Sequence, residues 1–156
     1  MDITPATCYI DRNGYFVYRS DVQYHFAKYD INGDQIKELI ILEGGSWGAT
    51  IIDIFTYREE EPVWLIAGAE RSYVDLYENG VIGLCGSGGA EAHIYYFYYL
   101  QDGALVLIDT AESDWGTYKV NGSTCSEEVF QAKLNEYAKL TSWDFEIVKT
   151  IEREVS

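Results

Sequence analysis

The organisation of the chain is clearest in residues 26–42, which read FAKYDINGDQIKELIIL. Two apolar runs flank a polar stretch whose oxygen-bearing side chains occupy loop positions 1, 3, 5 and 9, namely Asp30, Asn32, Asp34 and Glu38. Alternate residues of a tight turn can direct their oxygens at one centre, and Ca²⁺ takes six to eight oxygen ligands. The spacing therefore predicts a calcium-binding loop between two strands.

This Asp-x-Asn-Gly-Asp-x-x-x-Glu-Leu pattern resembles the loops of integrin-type propeller repeats and dockerin-like modules. It is more similar still to uncharacterised bacterial proteins with a Tyr-Asp-Ile-Asp-Gly-Asp-Gly-Ile-Pro-Glu-Leu segment, in which the loop joins two strands. The resemblance covers residues 26–42. It implies a structural Ca²⁺ ion held by the side chains of Asp30, Asn32, Asp34 and Glu38 and by the carbonyl of Ile36.

Two positions depart from calcium-loop patterns. Gln35 stands at the sixth position, where Gly provides a positive φ, so we expect weak affinity. Ile41 stands at position 12, where an EF-hand has a bidentate Glu, so the loop is not an EF-hand. The alternative interpretation is a hairpin turn that holds no metal, because Asp, Asn and Gly favour turns for local reasons.

The composition predicts one folded domain over residues 1–156. The hydrophobic fraction is 47% and the aromatic fraction 15%, which favours a strand-rich structure that needs no disulfides. The formal net charge is −15, so we expect no binding to nucleic acid and an attraction for cations or basic partners. No run of 18 apolar residues occurs, so we expect no membrane insertion.

The three cysteines, Cys8, Cys85 and Cys125, have no Cys-x-x-Cys spacing, so neither a disulfide framework nor a zinc site is indicated. The first residues lack the basic and apolar regions of a signal peptide. We expect a cytoplasmic protein if Met1 is the native start, and an extracellular or cell-envelope protein if an export signal was removed.

Turn signals and alternation predict an α+β fold that is mostly β. The Asn13-Gly14 pair predicts a first hairpin over residues 7–19. Residues 41–49 and 82–90 share Ile, Gly, Ser, Gly and Ala at an offset of 41. This predicts an internal repeat with units at about 39–67 and 80–108. Two units cannot close a propeller, so we expect a strongly twisted antiparallel meander or partial barrel.

One helix is predicted near the carboxyl end, over about 126–140. Thr124 and Glu127 have the spacing of a capping box. The apolar side chains of Phe130, Leu134 and Tyr137 follow helical spacing and should pack on the sheet. Alternation from Trp143 to Ile147 predicts a last strand.

Other residues suggest chemistry less specifically. The Gly-rich segments 44–48 and 86–89 are typical of tight strand connections, although backbone amides there could also bind an anion. Cys85 and His93 flank the second segment and could form a thiol–imidazole pair, but a strand cysteine is more often buried and inert. The many tyrosines favour a packed core over an exposed platform for sugars or peptides.

These observations favour a non-enzymatic binding domain with a protein or carbohydrate partner and a structural Ca²⁺ loop at 30–38. The alternative is a small hydrolase with a site near the Gly-rich segments 44–48 and 86–89. A cleft that collects His93 with carboxylates would favour the hydrolase. A third hypothesis is a purely structural module whose loop is empty. The sequence identifies neither a catalytic residue nor an oligomeric state.

Overall fold

The computed structural model describes residues 8–10, 16–18, 23–45, 48–139 and 146–151. Within them, one helix α1 covers Glu127–Asn135 and a single 3₁₀ turn covers Glu78–Gly80. The strands are β1 (Cys8–Ile10), β2 (Phe16–Tyr18), β3 (Gln23–Tyr29), β4 (Glu38–Gly45), β5 (Gly48–Arg58), β6 (Glu61–Ala67), β7 (Ser72–Tyr77), β8 (Val81–Gly89), β9 (Ala92–Gln101), β10 (Ala104–Asp114), β11 (Thr117–Val120), β12 (Ser123–Cys125) and β13 (Glu146–Ile151).

Most strands belong to one antiparallel sheet. Its order is β12-β11-β10-β9-β8-β7-β5-β4-β3-β13, and β6 pairs with β5 beside this path. β5 divides its outer side between two partners: residues 53–58 pair with β6, and Ile51 pairs with Val74 of β7. The sheet is twisted and unclosed, which confirms the predicted mostly β, antiparallel architecture with one C-terminal helix.

β1 and β2 form a separate antiparallel pair. This agrees with the hairpin predicted over residues 7–19, although its turn at residues 11–15 lies outside the described residues. β13 confirms a last strand and pairs with β3. Trp143 and Phe145, which the prediction included, also lie outside the described residues.

Strand alternation gives the sheet two apolar faces. The main core lies on one face and extends from β3 to β9, with Ile40, Ile54 and Ile82 fully buried. The opposite face carries two smaller clusters, one around Phe26 and Ile41 and the other beneath the helix. β4 is buried on both faces, as the apolar run 39–42 predicts for a central strand.

The sheet curls enough for two distant hairpin turns to meet. The Arg58 guanidinium at the end of β5 donates to the carbonyls of Asp102 and Gly103, at 3.0 and 3.2 Å. These carbonyls belong to the turn between β9 and β10. The β5–β6 turn therefore lies next to the β9–β10 turn, as in a partial barrel.

Helix α1 packs on the sheet as predicted, but it is shorter than 126–140 and begins differently. Thr124 pairs with Lys119 in the β11–β12 ladder, so it cannot cap the helix; Ser126 does so, accepting the Val129 N–H at 3.4 Å. The helix ends at Asn135 because Lys139 forms a β-bridge with Tyr77. This long-range pairing draws the chain out of the helical path.

The packing beneath the helix is aromatic. Phe130 is buried against Tyr95 and Tyr118, while Leu134 and Tyr137 pack on the cluster of Tyr77, Val81 and Phe97. The rings of Phe97 and Tyr137 stack with centroids 3.9 Å apart. The predicted contact of Phe130, Leu134 and Tyr137 with the sheet is confirmed.

Asp109 of β10 ties the helix to the sheet. Its carboxylate accepts hydrogen bonds from the Tyr137 hydroxyl, from Lys133 Nζ at 3.3 Å and from Asn121 Nδ2 at 2.8 Å. Burial alone would raise the pKa of Asp109, but these three donors together lower it below its ordinary value. The ionised carboxylate thus stabilises the junction between β10, the β11–β12 turn and the helix.

Each predicted repeat unit, 39–67 and 80–108, contains three consecutive antiparallel strands, β4–β6 and β8–β10. The 3₁₀ turn ends at Gly80, the first residue of the second unit. The offset of 41 does not hold throughout, because it places the turn residue Glu59 on Leu100, which lies inside β9. Superposition of the two units stays a prediction.

The Gly-rich segment 86–89 is not itself the turn. It forms the end of β8, with a register shift between Ser87 and Gly89, and the chain reverses at Ala90–Glu91. Glycine suits such a β-bulge, since the extra residue bends the strand. In the first Gly-rich segment, residues 46–47 lie outside the described part of the chain.

Candidate functional site

The predicted calcium loop joins β3 to β4 at one end of the sheet, and the pair Tyr29–Glu38 closes it. Ile31 is buried in the main core. Asn32 Nδ2 donates to the carbonyl of Leu100 at 3.2 Å. A Cβ on Gly80 would lie 3.1 Å from Asn32 Cα, so this glycine permits the loop to pack closely on the start of β8.

Side chains of the loop bond to its own backbone. The two Asp30 oxygens accept the N–H groups of Gly33 at 2.8 Å and Gln35 at 2.9 Å. Asp34 Oδ1 accepts the Ile36 N–H at 2.8 Å, and Asn32 Oδ1 accepts the Asp34 N–H at 3.2 Å. The loop is therefore a set of nested Asx turns.

Two residues of the loop have left-handed backbone conformations. Gly33 has φ of 77° and Gln35 has φ of 73°. A residue other than glycine pays ~1–2 kcal/mol for this conformation. Gln35 thus adopts the backbone conformation that the calcium pattern assigns to glycine. The hydrogen bond from its backbone N–H to the Asp30 carboxylate helps to hold it there.

Glu38 is fully buried, unlike the exposed Asp34. Its Oε2 accepts the Ile31 N–H at 2.9 Å and its Oε1 accepts the Thr56 hydroxyl at 3.0 Å. Burial raises the pKa of Glu38, and the two hydrogen bonds oppose that rise only in part. The charge of Asp34 adds to the rise, so the two carboxylates are within electrostatic reach of each other.

The fit to Ca²⁺ is partial. In residues 23–45 and 48–139, no three His, Cys, Asp or Glu side chains are grouped closely enough to hold a metal ion. Asn32 also directs its Nδ2 donor at Asp34 Oδ2, 3.0 Å away. An ion would have to displace that donor and draw Glu38 from its present partners. The predicted ligands share one loop, but their oxygens do not surround one centre.

A second site lies at the bulged end of β8. An open cleft of about 490 Å³ is lined by Ser87 and Gly88 of β8, by His93 of β9 and by Glu112 and Asp114 of β10. The β6–β7 connection contributes two more charged residues, Glu70 and Arg71. The register places the His93 ring on the other sheet face from Glu112 and Asp114, where it stacks on Tyr95 with ring centroids 6.4 Å apart. The cleft is therefore lined by three acidic residues beside a Gly-rich segment, with the His93 ring directed away from two of them.

Partners of the cleft residues limit its chemistry. The Ser87 hydroxyl donates a hydrogen bond to the Gly89 carbonyl at 3.1 Å. Glu112 Oε1 lies 3.9 Å from Lys119 Nζ and forms an ion pair with it. In the strand register His93 stands between Ser87 and Ser113. The arrangement can bind polar or cationic groups, but the Ser87 hydroxyl is directed at a carbonyl.

Cys85 is not among the residues lining this cleft. It stands opposite Tyr95 in the register, and burial raises the pKa of its thiol. The reactive thiolate is thus disfavoured. These features match the sequence expectation of an inert strand cysteine rather than a nucleophile paired with His93.

The sequence did not identify the cleft residues Glu70, Arg71, Glu112 and Asp114, nor Thr56 as the partner of Glu38. The alternation of Glu112 and Asp114 in one strand places both on the same face. That pattern alone could have indicated an acidic patch, but not its position beside the 86–89 segment.

Comparison with known proteins adds no identity: no family model, curated protein or solved structure matches this chain. In the described part of the chain, no helix has the length and apolar character needed to cross a membrane.

Proposed function

We propose that the chain is a non-enzymatic interaction domain in which a structural Ca²⁺ ion stabilises the loop at residues 30–38. The ligands are the side chains of Asp30, Asn32, Asp34 and Glu38 and the carbonyl of Ile36. The observation that carries the proposal is the left-handed backbone of Gln35, held by Asp30. A loop with this backbone at its sixth position can direct alternate side chains inward.

The ion would supply positive charge to a loop in which three acidic side chains outnumber one base, Lys37. Asp30, Asp34 and Glu38 repel one another when ionised, and Glu38 bears the further cost of burial. Binding would reduce both penalties, so the ion should favour the folded state. Rearrangement of Asn32 and Glu38 costs free energy, which favours an affinity in the weak ~10⁻⁴–10⁻³ M range of extracellular modules.

Thermal unfolding tests the calcium loop. The wild type should melt at higher temperature in ~10 mM CaCl₂ than in chelator, and at ~100 times the dissociation constant the gain would be roughly 2.7 kcal/mol. Asp34→Ala should abolish this increment. Asp102→Ala is the matched control, because it removes an exposed turn aspartate outside the loop.

Magnesium chloride at the same concentration separates a calcium site from general screening of the acidic surface. Mg²⁺ demands a smaller octahedral site and should give little of the increment. Equal melting temperatures of the wild type in CaCl₂ and in chelator would refute the calcium loop.

The cleft at the 86–89 segment supports a second candidate, a small hydrolase, because two acidic residues that share one sheet face, Glu112 and Asp114, line it beside the Gly-rich backbone. In this candidate Asp114 acts as the proton carrier and the Gly-rich backbone binds the substrate. Chromogenic ester and glycoside substrates should then be hydrolysed by the wild type but not by Asp114→Asn. Asp102→Asn is the control, since it makes the same change at an exposed turn aspartate outside the cleft. If neither calcium nor substrate has an effect, the purely structural module is the better account.

A further inference from the structure

In the described part of the chain, the sheet has a free edge along the first half of β10. β9 pairs with one side of β10 throughout, whereas β11 pairs with the other side only at residues 111–114. Asn121 covers Thr110 by bonding to its N–H and its carbonyl. Among the described strands, none pairs with the outer side of residues 104–108.

This edge presents both backbone groups and apolar side chains. The two-residue turn Asp102–Gly103 makes Gln101 and Ala104 the closing hydrogen-bonded pair of the hairpin. By alternation, the N–H and C=O groups of Leu105 and Leu107 point away from β9. The side chains of Val106, Leu107 and Ile108 are 45%, 51% and 44% exposed.

The edge is also fixed in position. Leu105 packs on the main core, and its register partner Leu100 is buried. An incoming strand would therefore meet an ordered template, which reduces the entropy cost of pairing.

Charge is concentrated at one end of the edge. The bonds from Arg58 to Asp102 and Gly103 bring the exposed residues 59–61, all glutamates, next to the start of β10. In that group, the one positive charge of the Arg58 guanidinium is outnumbered by four carboxylates, those of residues 59–61 and of Asp102. The opposite end is blocked by Asn121.

We propose that the free β10 edge at residues 104–108 binds an extended peptide with alternating apolar residues and a basic C-terminal flank. Antiparallel addition places the C-terminal end of the peptide beside Ala104, where a Lys or Arg meets the acidic turns. A second copy of the chain fits less well, because antiparallel pairing would bring its Asp109–Thr110 segment, which contains no basic residue, to the acidic turns. This inference rests on the proposed interaction role, but not on the calcium loop.

The test uses an N-terminally fluorescein-labelled peptide, TVTVTKK, and its acidic counterpart TVTVTEE, titrated by fluorescence anisotropy at low salt. The measurement is made in chelator, so that failure of the calcium loop does not affect it. TVTVTKK should bind at least ~10-fold more tightly than TVTVTEE, because like charges at a contact oppose binding.

Leu107→Glu should weaken binding of TVTVTKK by at least ~10-fold, since a charge at a strand edge blocks pairing. The matched control is Val129→Glu, which adds the same charge to an exposed aliphatic site on helix α1 and should change binding by less than about twofold. Thermal melts establish that both variants are folded. Leu107→Ala, which keeps the edge uncharged, provides a second variant if Leu107→Glu does not fold, and it should weaken binding less than a charge.

Three results would overturn the inference. One is the lack of wild-type binding to TVTVTKK at concentrations up to ~1 mM. Another is equal weakening by Leu107→Glu and Val129→Glu. The last is a wild-type dimer in sedimentation equilibrium that Leu107→Glu dissociates, because the edge would then belong to a second copy. None of these results alters the melting test of the calcium loop.

Discussion

Glu38 is an ionisable residue whose side chain is fully buried, so its protonation affects the stability of the fold. Burial raises its pKa, with the Ile31 amide and the Thr56 hydroxyl opposing. A folded-state pKa above the unfolded value means that the native state binds the proton more tightly. The contribution of Glu38 to the free energy of unfolding is thus most favourable below the ordinary pKa, and it is lost as the pH rises through the raised pKa.

We therefore expect Glu38→Gln to cost more stability at acidic pH than at neutral pH. The comparison is urea unfolding of both proteins in chelator between pH ~4.5 and ~8, a range that starts at the ordinary carboxyl pKa. Thr56→Val should destabilise by ~1–3 kcal/mol at neutral pH, because it leaves a buried carboxylate oxygen without its donor. A stability difference between wild type and Glu38→Gln that does not vary with pH would contradict this account.

At the scale of the strands, local alternation was sufficient to predict the faces. Val74 and Leu76 enter the main core while Tyr77 enters the cluster beneath the helix, as the period of two requires. β9 carries aromatic rings on both faces, because each face contacts a different cluster. The face that each side chain occupies depends on residues next to it in the chain, so it can be predicted from a single sequence.

Long-range pairing explains what the sequence did not predict. Thr124 is of a residue type that often caps helices, but its pairing with Lys119 places it in β12. The bridge of Lys139 to Tyr77 ends the helical region early. A capping-box pattern carries no information about either partner, so the helix bounds 126–140 were wrong at the carboxyl end.

The candidate sites divide along the same line. The calcium loop is local, and its Asx turns and the left-handed Gln35 follow from residues 30–38 themselves. The burial of Glu38 against Thr56 depends on the pairing of β4 with β5. The cleft combines segments near residues 70, 87, 93 and 112, which only the finished sheet brings together.

For the whole molecule, a net charge of −15 on 156 residues destabilises the fold through repulsion among like charges. Acidic turns meet at the Arg58 contact, and the acidic loop lies at the end of the sheet. Like charges repel more strongly in the compact chain than in the unfolded one. Monovalent salt shortens the Debye length from ~30 Å at 0.01 M to ~10 Å at 0.1 M, so it should relieve much of this repulsion.

We expect the melting temperature in chelator to rise by a few degrees, roughly the effect of 1 kcal/mol, between ~10 and ~150 mM NaCl. Choline chloride should act equally, because screening does not depend on the identity of the cation. Asp34→Ala should show a slightly smaller rise than the wild type, since it carries one charge fewer. A melting temperature that falls with salt would show instead that ion pairs such as Lys133–Asp109 dominate the electrostatics of the fold.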